Sequence, residues 1–262
     1  MNSVQSTMHL LCYFLAALAT VAGSVITDRP TSVINGDAAE IQDYPFYVFL
    51  EITALDGIYI KTNKCGGTII RSNVVLTATH CVSNALDVTA YTGVDHRNQL
   101  NRAEKYFSER IKVHPLYKSA NDHSYDVALI KLDREIKMSE KVKIATLGQR
   151  IPGFREDVVI IGFGEAVCLN YTPETLCRNP SSNELRSAVV HVWFEWPGTI
   201  KVIGDGNQNA CQGDSGGPMI YNGNVVGVSH TSGHSCSDFS LYSSIPYNRE
   251  WVDSTLNELL AN

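Results

Sequence analysis

Three short segments of the chain carry residue types able to make and break an acyl bond. Leu76-Thr77-Ala78-Thr79-His80-Cys81 sets a histidine at the end of an apolar run, beside a cysteine. Asp126-Val127-Ala128-Leu129-Ile130 sets a carboxylate at the mouth of another. Cys211-Gln212-Gly213-Asp214-Ser215-Gly216-Gly217-Pro218 sets a serine in a glycine-rich turn. Taken singly, each reads as ordinary structure: a core histidine, a strand-end charge, a turn serine. Together, in the order His, Asp, Ser, they supply the parts of nucleophilic acyl transfer. A serine hydroxyl is a poor nucleophile until a neighbouring base takes its proton. Histidine can do so near neutral pH and later return the proton to a leaving group.

Elements that could hold these residues in place are legible around them. The body of the chain is a series of short apolar bursts rich in Val, Ile and Tyr: Tyr47–Leu50, Asn73–Leu76, Val127–Leu132, Val158–Ile161, Val189–Phe194, Pro218–Tyr221 and Val225–Val228. Gly, Asn, Asp and Pro separate them, which indicates an all-β protein. Asn222-Gly223 between two bursts signals a hairpin. Helical spacing is clear only at the end, where Trp251, Val252, Leu256, Leu259 and Leu260 recur and Asn248 stands as N-cap. Barrels or sandwiches followed by a C-terminal α-helix fit this pattern.

Composition sets the class and the compartment. With 262 residues, 18% charged and 44% hydrophobic, wholesale disorder is excluded. A net charge of -6 disfavours phosphate backbones and anionic membranes, so neither nucleic acid nor membrane is expected as a partner. Leu10–Ala22 is an uncharged stretch ending in the small residues Ala22, Gly23 and Ser24. It reads as a secretory signal, residues 1–22, cleaved after Ala22 or Ser24. Export implies an oxidising compartment. Cys12 leaves with the signal, and Cys65, Cys81, Cys168, Cys177, Cys211 and Cys236 remain. Six cysteines allow fifteen pairings, and spacing does not choose among them. No CxxC pair supports a zinc site. No metal or other cofactor is expected.

The chain resembles the trypsin/chymotrypsin family of serine endopeptidases. The family's Thr-Ala-Ala-His-Cys is matched by Thr77-Ala78-Thr79-His80-Cys81, its aspartate motif by Asp126-Val127-Ala128-Leu129, and its serine motif by Gly213-Asp214-Ser215-Gly216-Gly217-Pro218. Val33-Ile34-Asn35-Gly36 stands where the activated family begins, and Gly162-Phe163-Gly164 where it has Gly-Trp-Gly. The likeness runs over residues 33–262. It implies two antiparallel β-barrels, residues 33–140 and 141–262, the second carrying the terminal helix, with the site between them. It implies a secreted endopeptidase working through an acyl-enzyme, with His80 as base, Asp126 as its orienting carboxylate and Ser215 as nucleophile. Backbone N–H groups of Gly213 and Ser215 would form the oxyanion hole, and Ser229 resembles the family serine that hydrogen-bonds the aspartate.

The resemblance also implies the pairs Cys65–Cys81 and Cys211–Cys236, leaving Cys168–Cys177 as a third bridge in an atypical place. Asn170 within that loop is a glycosylation acceptor. Asn209 stands at the specificity-pocket floor, where trypsin-like members carry aspartate. Thr231 or Ser232, and Ser240, stand where deep pockets have glycines. Uncharged P1 residues, chymotrypsin-like or elastase-like, are therefore expected. Residues 23–32 form a propeptide, and a freed Val33 amine would pair with Asp214. Pro45, twelve residues on, matches the family spacing. Ser32, rather than a basic residue, precedes Val33, and Arg29 is followed by Pro30, so the activating cut is not trypsin-like. No family-like calcium loop is found in Asp95–Glu109. Expected partners are protein or peptide substrates and protein protease inhibitors, with the enzyme a monomer. The alternative function is a catalytically silent serine protease homologue acting as a binding or regulatory protein. A third, an α/β-hydrolase, would need a nucleophile elbow and the order Ser, Asp, His, and neither is present.

Overall fold

A computed structural model describes residues 33–119, 123–164, 183–206, 208–232, 236 and 238–261, with the side chains of Asp56, Thr231 and Ser232 excepted. The chain forms two closed six-stranded antiparallel barrels. The first contains β2 (Tyr47–Asp56), β3 (Tyr59–Arg71), β4 (Val74–Thr77), β5 (Ala85–Thr92), β6 (Lys105–Val113) and β7 (Ala128–Leu132). They close in the order β2-β3-β4-β7-β6-β5. The second contains β8 (Asp157–Gly162), β9 (Arg186–Trp196), β10 (Thr199–Ile203), β11 (Pro218–Tyr221), β12 (Asn224–Ser232) and β13 (Ser240–Ser244). They run in the order β9-β10-β13-β12-β11-β8 and close through β8 and β9.

Alternation of side chains between the two faces of each strand fills the barrels. Leu50 and Ile52 on β2, Ile69 on β3 and Leu129 on β7 are fully buried in the first. Ile160, Val190, Ile200 and Val202 fill the second with Met219 and Tyr242. At the β11–β12 hairpin, Asn222 (φ 48°) and Gly223 (φ 76°) are both left-handed. That is the primed turn whose twist matches two right-twisted strands.

The first and last described segments pack on opposite barrels. Val33 is buried in the core of the second, and β1 (Asp37–Ala38) pairs with β9. The terminal helix α2 (Arg249–Leu260) buries Val252, Leu256 and Leu259 in the core of the first. Asn248 sits at its N-cap position, but its side chain makes no cap. Instead its amide donates to the carbonyls of Ser124 and Ser244, each at 2.8 Å. The residue ties the helix start to the 3₁₀ turn His123–Tyr125, immediately before Asp126.

Candidate active site

His80 is presented by α1 (Thr79–Val82), a single turn that follows β4. Two bonds hold that turn. The Cys65–Cys81 disulfide ties it to β3, and the Thr79 hydroxyl donates to the Val127 carbonyl at 2.7 Å. Asp126, one residue before Val127, is completely buried. Its Oδ1 accepts the His80 backbone N–H at 2.8 Å and its Oδ2 accepts His80 Nδ1 at 2.5 Å. An ionised carboxylate only accepts, so Nδ1 carries the ring proton and Nε2 is left basic. Burial pushes the Asp126 carboxyl up, but hydrogen bonds from His230 and His80 outweigh it and hold the group well below the usual carboxylate range.

Ser215 lies on the turn leading into β11, locked between the barrels. Gly66 of the first barrel donates its N–H to the Ser215 carbonyl at 2.7 Å, and Gly216 donates to the Ser229 carbonyl at 2.7 Å. Gly213 (φ 97°) and Gly216 (φ 77°) are left-handed. A Cβ on Gly216 would sit 2.2 Å from the Thr77 hydroxyl, so only glycine fits. Among the described residues, the N–H groups of Gly213 and Ser215 donate to no acceptor. Ser215 Oγ donates to the His230 carbonyl at 3.5 Å rather than to His80. Hydrogen bonds between a nucleophile and its base often tighten only when substrate binds. A cleft of about 420 Å³ opens over this constellation, lined by Lys64, Cys65, His80, Arg97, Gly213 and Ser215.

The expectation for Ser229 is corrected. Its hydroxyl hydrogen-bonds Tyr242, and the next residue, His230, turns its Nδ1 onto Asp126 Oδ2. The cause is a β-bulge in β12: Ser229 pairs with Tyr242 and Thr231 with Leu241, leaving His230 as the extra residue. One inserted residue flips the strand's facing, so an inward position assigned to 229 belongs to 230. His123 stacks edge-on against His230, with ring centroids 4.3 Å apart. Neither His230 nor His123 was picked out by sequence reasoning, and no sequence signal announces the bulge. Arg97 was missed as well. Its Nη2 donates to the Phe163 carbonyl at 2.5 Å, and its guanidinium lies over the Phe49 ring at 5.3 Å.

Asp214 is buried behind the serine turn. Gly164 N–H donates to its Oδ1 at 2.6 Å and Cys211 N–H to its Oδ2 at 2.9 Å. Burial raises its pKa to about 6, although N–H donors from Cys211, Gly164 and Val33 and the Arg97 charge act to lower it. Val33 itself is completely buried with φ 41°, a strained angle for a β-branched residue.

Cys211–Cys236 is the second disulfide among the described residues. Cys168, Cys177 and Asn170 lie outside the described residues, as do the side chains of Thr231 and Ser232. Asn209 and Ser240 are both fully buried, and Ser240 Oγ donates to Asn209 Oδ1 at 3.4 Å. Among the described residues, Asn209 Nδ2 has no hydrogen-bond partner. Two groups of described residues bring three metal-ligating atoms together. In one, Cys65 and Cys81 are already bonded to each other beside His80. In the other, His80, Asp126 and His230 are hydrogen-bonded among themselves.

Residues 33–252 match the family model described as Trypsin. Chymotrypsin-like elastase family member 1 of Rattus norvegicus is 30% identical over 80% of this chain and 82% of its own. Trypsin of Sarcophaga bullata is 27% identical over 96% of this chain and all of its own. Beta-fibrinogenase mucrofibrase-4 of Protobothrops mucrosquamatus is 28% identical, covering 93% and 94%. Among solved structures, mouse neuropsin, a serine protease, superposes with a TM-score of 0.71 at 22% identity, covering 85% of this chain and 99% of its own.

Proposed function

Because the chain belongs to the trypsin family and is a serine endopeptidase, we propose that it cleaves peptide bonds through an acyl-enzyme on Ser215. The observation that carries this reading is His80 Nδ1 held on buried Asp126 at 2.5 Å, beside a serine turn with two uncommitted N–H groups. His80 Nε2 takes the Ser215 proton as the hydroxyl attacks the carbonyl carbon. The resulting oxyanion rests on the Gly213 and Ser215 N–H groups, each worth roughly 3–4 kcal/mol in the transition state. His80 then protonates the leaving amine, and water repeats the sequence on the acyl-enzyme. The enzyme is exported, acts on proteins or peptides as a monomer, and is open to protein inhibitors of its class.

Uncharged P1 residues suit the pocket floor. Asn209 offers no carboxylate, and its Nδ2 is itself a donor lacking an acceptor among the described residues. A lysine or arginine side chain would bring further donors to it and find no countercharge. In a peptide-library profile, kcat/KM for uncharged P1 residues should exceed that for Arg or Lys by about a hundredfold. A profile led by Arg or Lys would refute this.

Activation follows from Asp214. A carboxylate with its pKa raised to about 6 in the folded state favours folding while protonated. That contribution is full below its ordinary value near 4 and is lost as pH rises through 6. The uncleaved chain should therefore lose about 3 kcal/mol of stability between pH 4 and 7. A free ammonium on Val33 supplies the missing countercharge, and cleavage also abolishes the strained φ torsion. The propeptide ends at Ser32, removed by a protease of other than trypsin-like specificity. Terminal sequencing of active enzyme should read Val-Ile-Asn-Gly, and the cleaved form should lack the loss of stability toward neutral pH. Full activity in a form beginning before Val33 would contradict the switch.

A further inference from the structure

We propose that Lys64 and Arg97 make the leaving-group side of the cleft selective for an acidic side chain, aspartate or glutamate, two residues beyond the scissile bond. This rests on the reading of Ser215 and His80 given above. In that reading the acyl half of the substrate stays on Ser215, with its side chain over Asn209 and Ser240 in the second barrel. Neither of those residues lines the cleft of about 420 Å³, whose walls include β3 at Lys64, the Cys65–Cys81 bridge and Gly213. The chain beyond the scissile bond therefore leaves through this cleft. Gly66 N–H donates to the Ser215 carbonyl at 2.7 Å, which sets β3 against the nucleophile. A Cβ on Gly66 would lie 2.8 Å from Gly217 Cα across the barrels, and Lys64, two positions along the strand, shares that face. At about 3.3 Å per residue it stands about 7 Å from the contact. An extended substrate rises at the same rate, so Lys64 is level with its second residue past the cut.

Two cations border this path, and among the described residues lining it there is no aspartate or glutamate. Lys64 is exposed. Its cross-strand neighbour on β2 is Glu51, but the Glu51 Oε2 accepts the Tyr91 hydroxyl at 2.5 Å, and among the described residues no ion pair joins Glu51 to Lys64. Arg97 is held more firmly, in the 3₁₀ turn Arg97–Gln99. Its backbone N–H donates to the Asn183 carbonyl at 2.8 Å, and its Nη2 donates to the Phe163 carbonyl at 2.5 Å. Its guanidinium packs over Phe49 and Phe163, 5.3 and 5.8 Å from their centroids. The charge is thus in place before substrate arrives. Behind the serine turn it also acts on Asp214, which on the reading above takes the Val33 ammonium after cleavage. A substrate carboxylate two residues past the cut meets a lysine able to reach it and the field of a fixed guanidinium. A substrate lysine there meets two like charges. The difference between those two cases sets the selectivity.

The test is kcat/KM for internally quenched peptides that share the best acyl side from the library profile and differ only at the second residue past the cut: Asp, Asn or Lys. Asp and Asn have the same shape and differ in charge. The enzymes are the form beginning at Val33 and its Lys64→Gln and Lys64→Glu variants, each at about 20 mM and about 200 mM salt. The parent should prefer Asp over Asn about fivefold and Asp over Lys about twentyfold at low salt, and both ratios should shrink at high salt. Lys64→Gln should cut the Asp-to-Lys ratio at least about threefold, and Lys64→Glu should bring it to about one. Each ratio is taken within one enzyme, so a general loss of activity or folded fraction cancels. A parental Asp-to-Lys ratio at or below one, or a ratio unchanged in Lys64→Glu, would overturn the proposal. Failure of the parent to cleave any of the peptides, together with failure to acylate with an organophosphorus reagent, would instead defeat the reading of the triad.

Discussion

Ser215→Ala is expected to leave both barrels folded and to lower kcat by about a million-fold. Among the described residues the hydroxyl makes one weak hydrogen bond, to the His230 carbonyl at 3.5 Å, so its loss costs little stability. The bonds that shape the turn belong to the backbone: Gly66 N–H to the Ser215 carbonyl and Gly216 N–H to the Ser229 carbonyl. Alanine preserves both. What disappears is the nucleophile, and the oxyanion donors alone leave only residual acceleration. His80→Ala should do similar damage, and the double variant little more, because the pair acts as a unit. Thermal unfolding would check the first half of this expectation and single-turnover kinetics the second. A kcat within tenfold of the parent would sink the mechanism.

Gly164→Ala should abolish activity by a different route, through the carboxylate behind the serine turn. A Cβ on Gly164 would lie 2.3 Å from Asp214 Oδ2 and 2.4 Å from its Cγ, and one on Gly162 would lie 1.9 Å from Oδ1. Neither distance is compatible with packing, so Asp214 must move. It has nowhere good to go, being fully buried and held by the N–H groups of Gly164 and Cys211. A displaced carboxylate in that interior loses its donors, at about 3 kcal/mol or more. For a chain of this size that lowers Tm by about 10 °C. The oxyanion turn is built on Asp214, so acylation should fail even in molecules that stay folded. Gly153→Ala is the control. Its Cβ would meet only Glu156 Oε2 at 3.5 Å, an ordinary contact, and both Tm and rate should hold. A Gly164→Ala enzyme as stable and active as that control would show that the Gly-Phe-Gly segment does not enclose Asp214 as described.

The parts legible in the sequence were those whose environment repeats along the chain. The continuous apolar burst Val127–Leu132 runs into β7, buried on both sides, Val158–Ile161 falls in β8, buried except for the half-buried Val159, and the apolar stripe of α2 marks the face it buries. Strands without such a burst were not picked out. The far end of β3, Tyr59–Asn63, stands out in solvent, and β13 is Ser-Leu-Tyr-Ser-Ser, polar yet buried by its barrel neighbours. Their strand character comes from pairing across the barrel, a tertiary effect that local composition does not record. The same holds at the site. His80, Asp126 and Ser215 stand in distinctive local motifs, and the bridges Cys65–Cys81 and Cys211–Cys236 accompany them. His230 could not be read in this way, because a single bulged residue decides whether it or Ser229 faces Asp126. Asn248 is similar: its type suits a helix cap, but two carbonyls from other segments take its amide.

The most direct test of the central claim is covalent labelling of the form beginning at Val33 with an organophosphorus serine reagent, read by peptide mapping. Only a serine activated by its base and facing an assembled oxyanion hole acylates readily. The account predicts one adduct per chain, on the peptide containing Ser215, and none after His80→Ala. An unlabelled chain, or an adduct on any other serine, would contradict it.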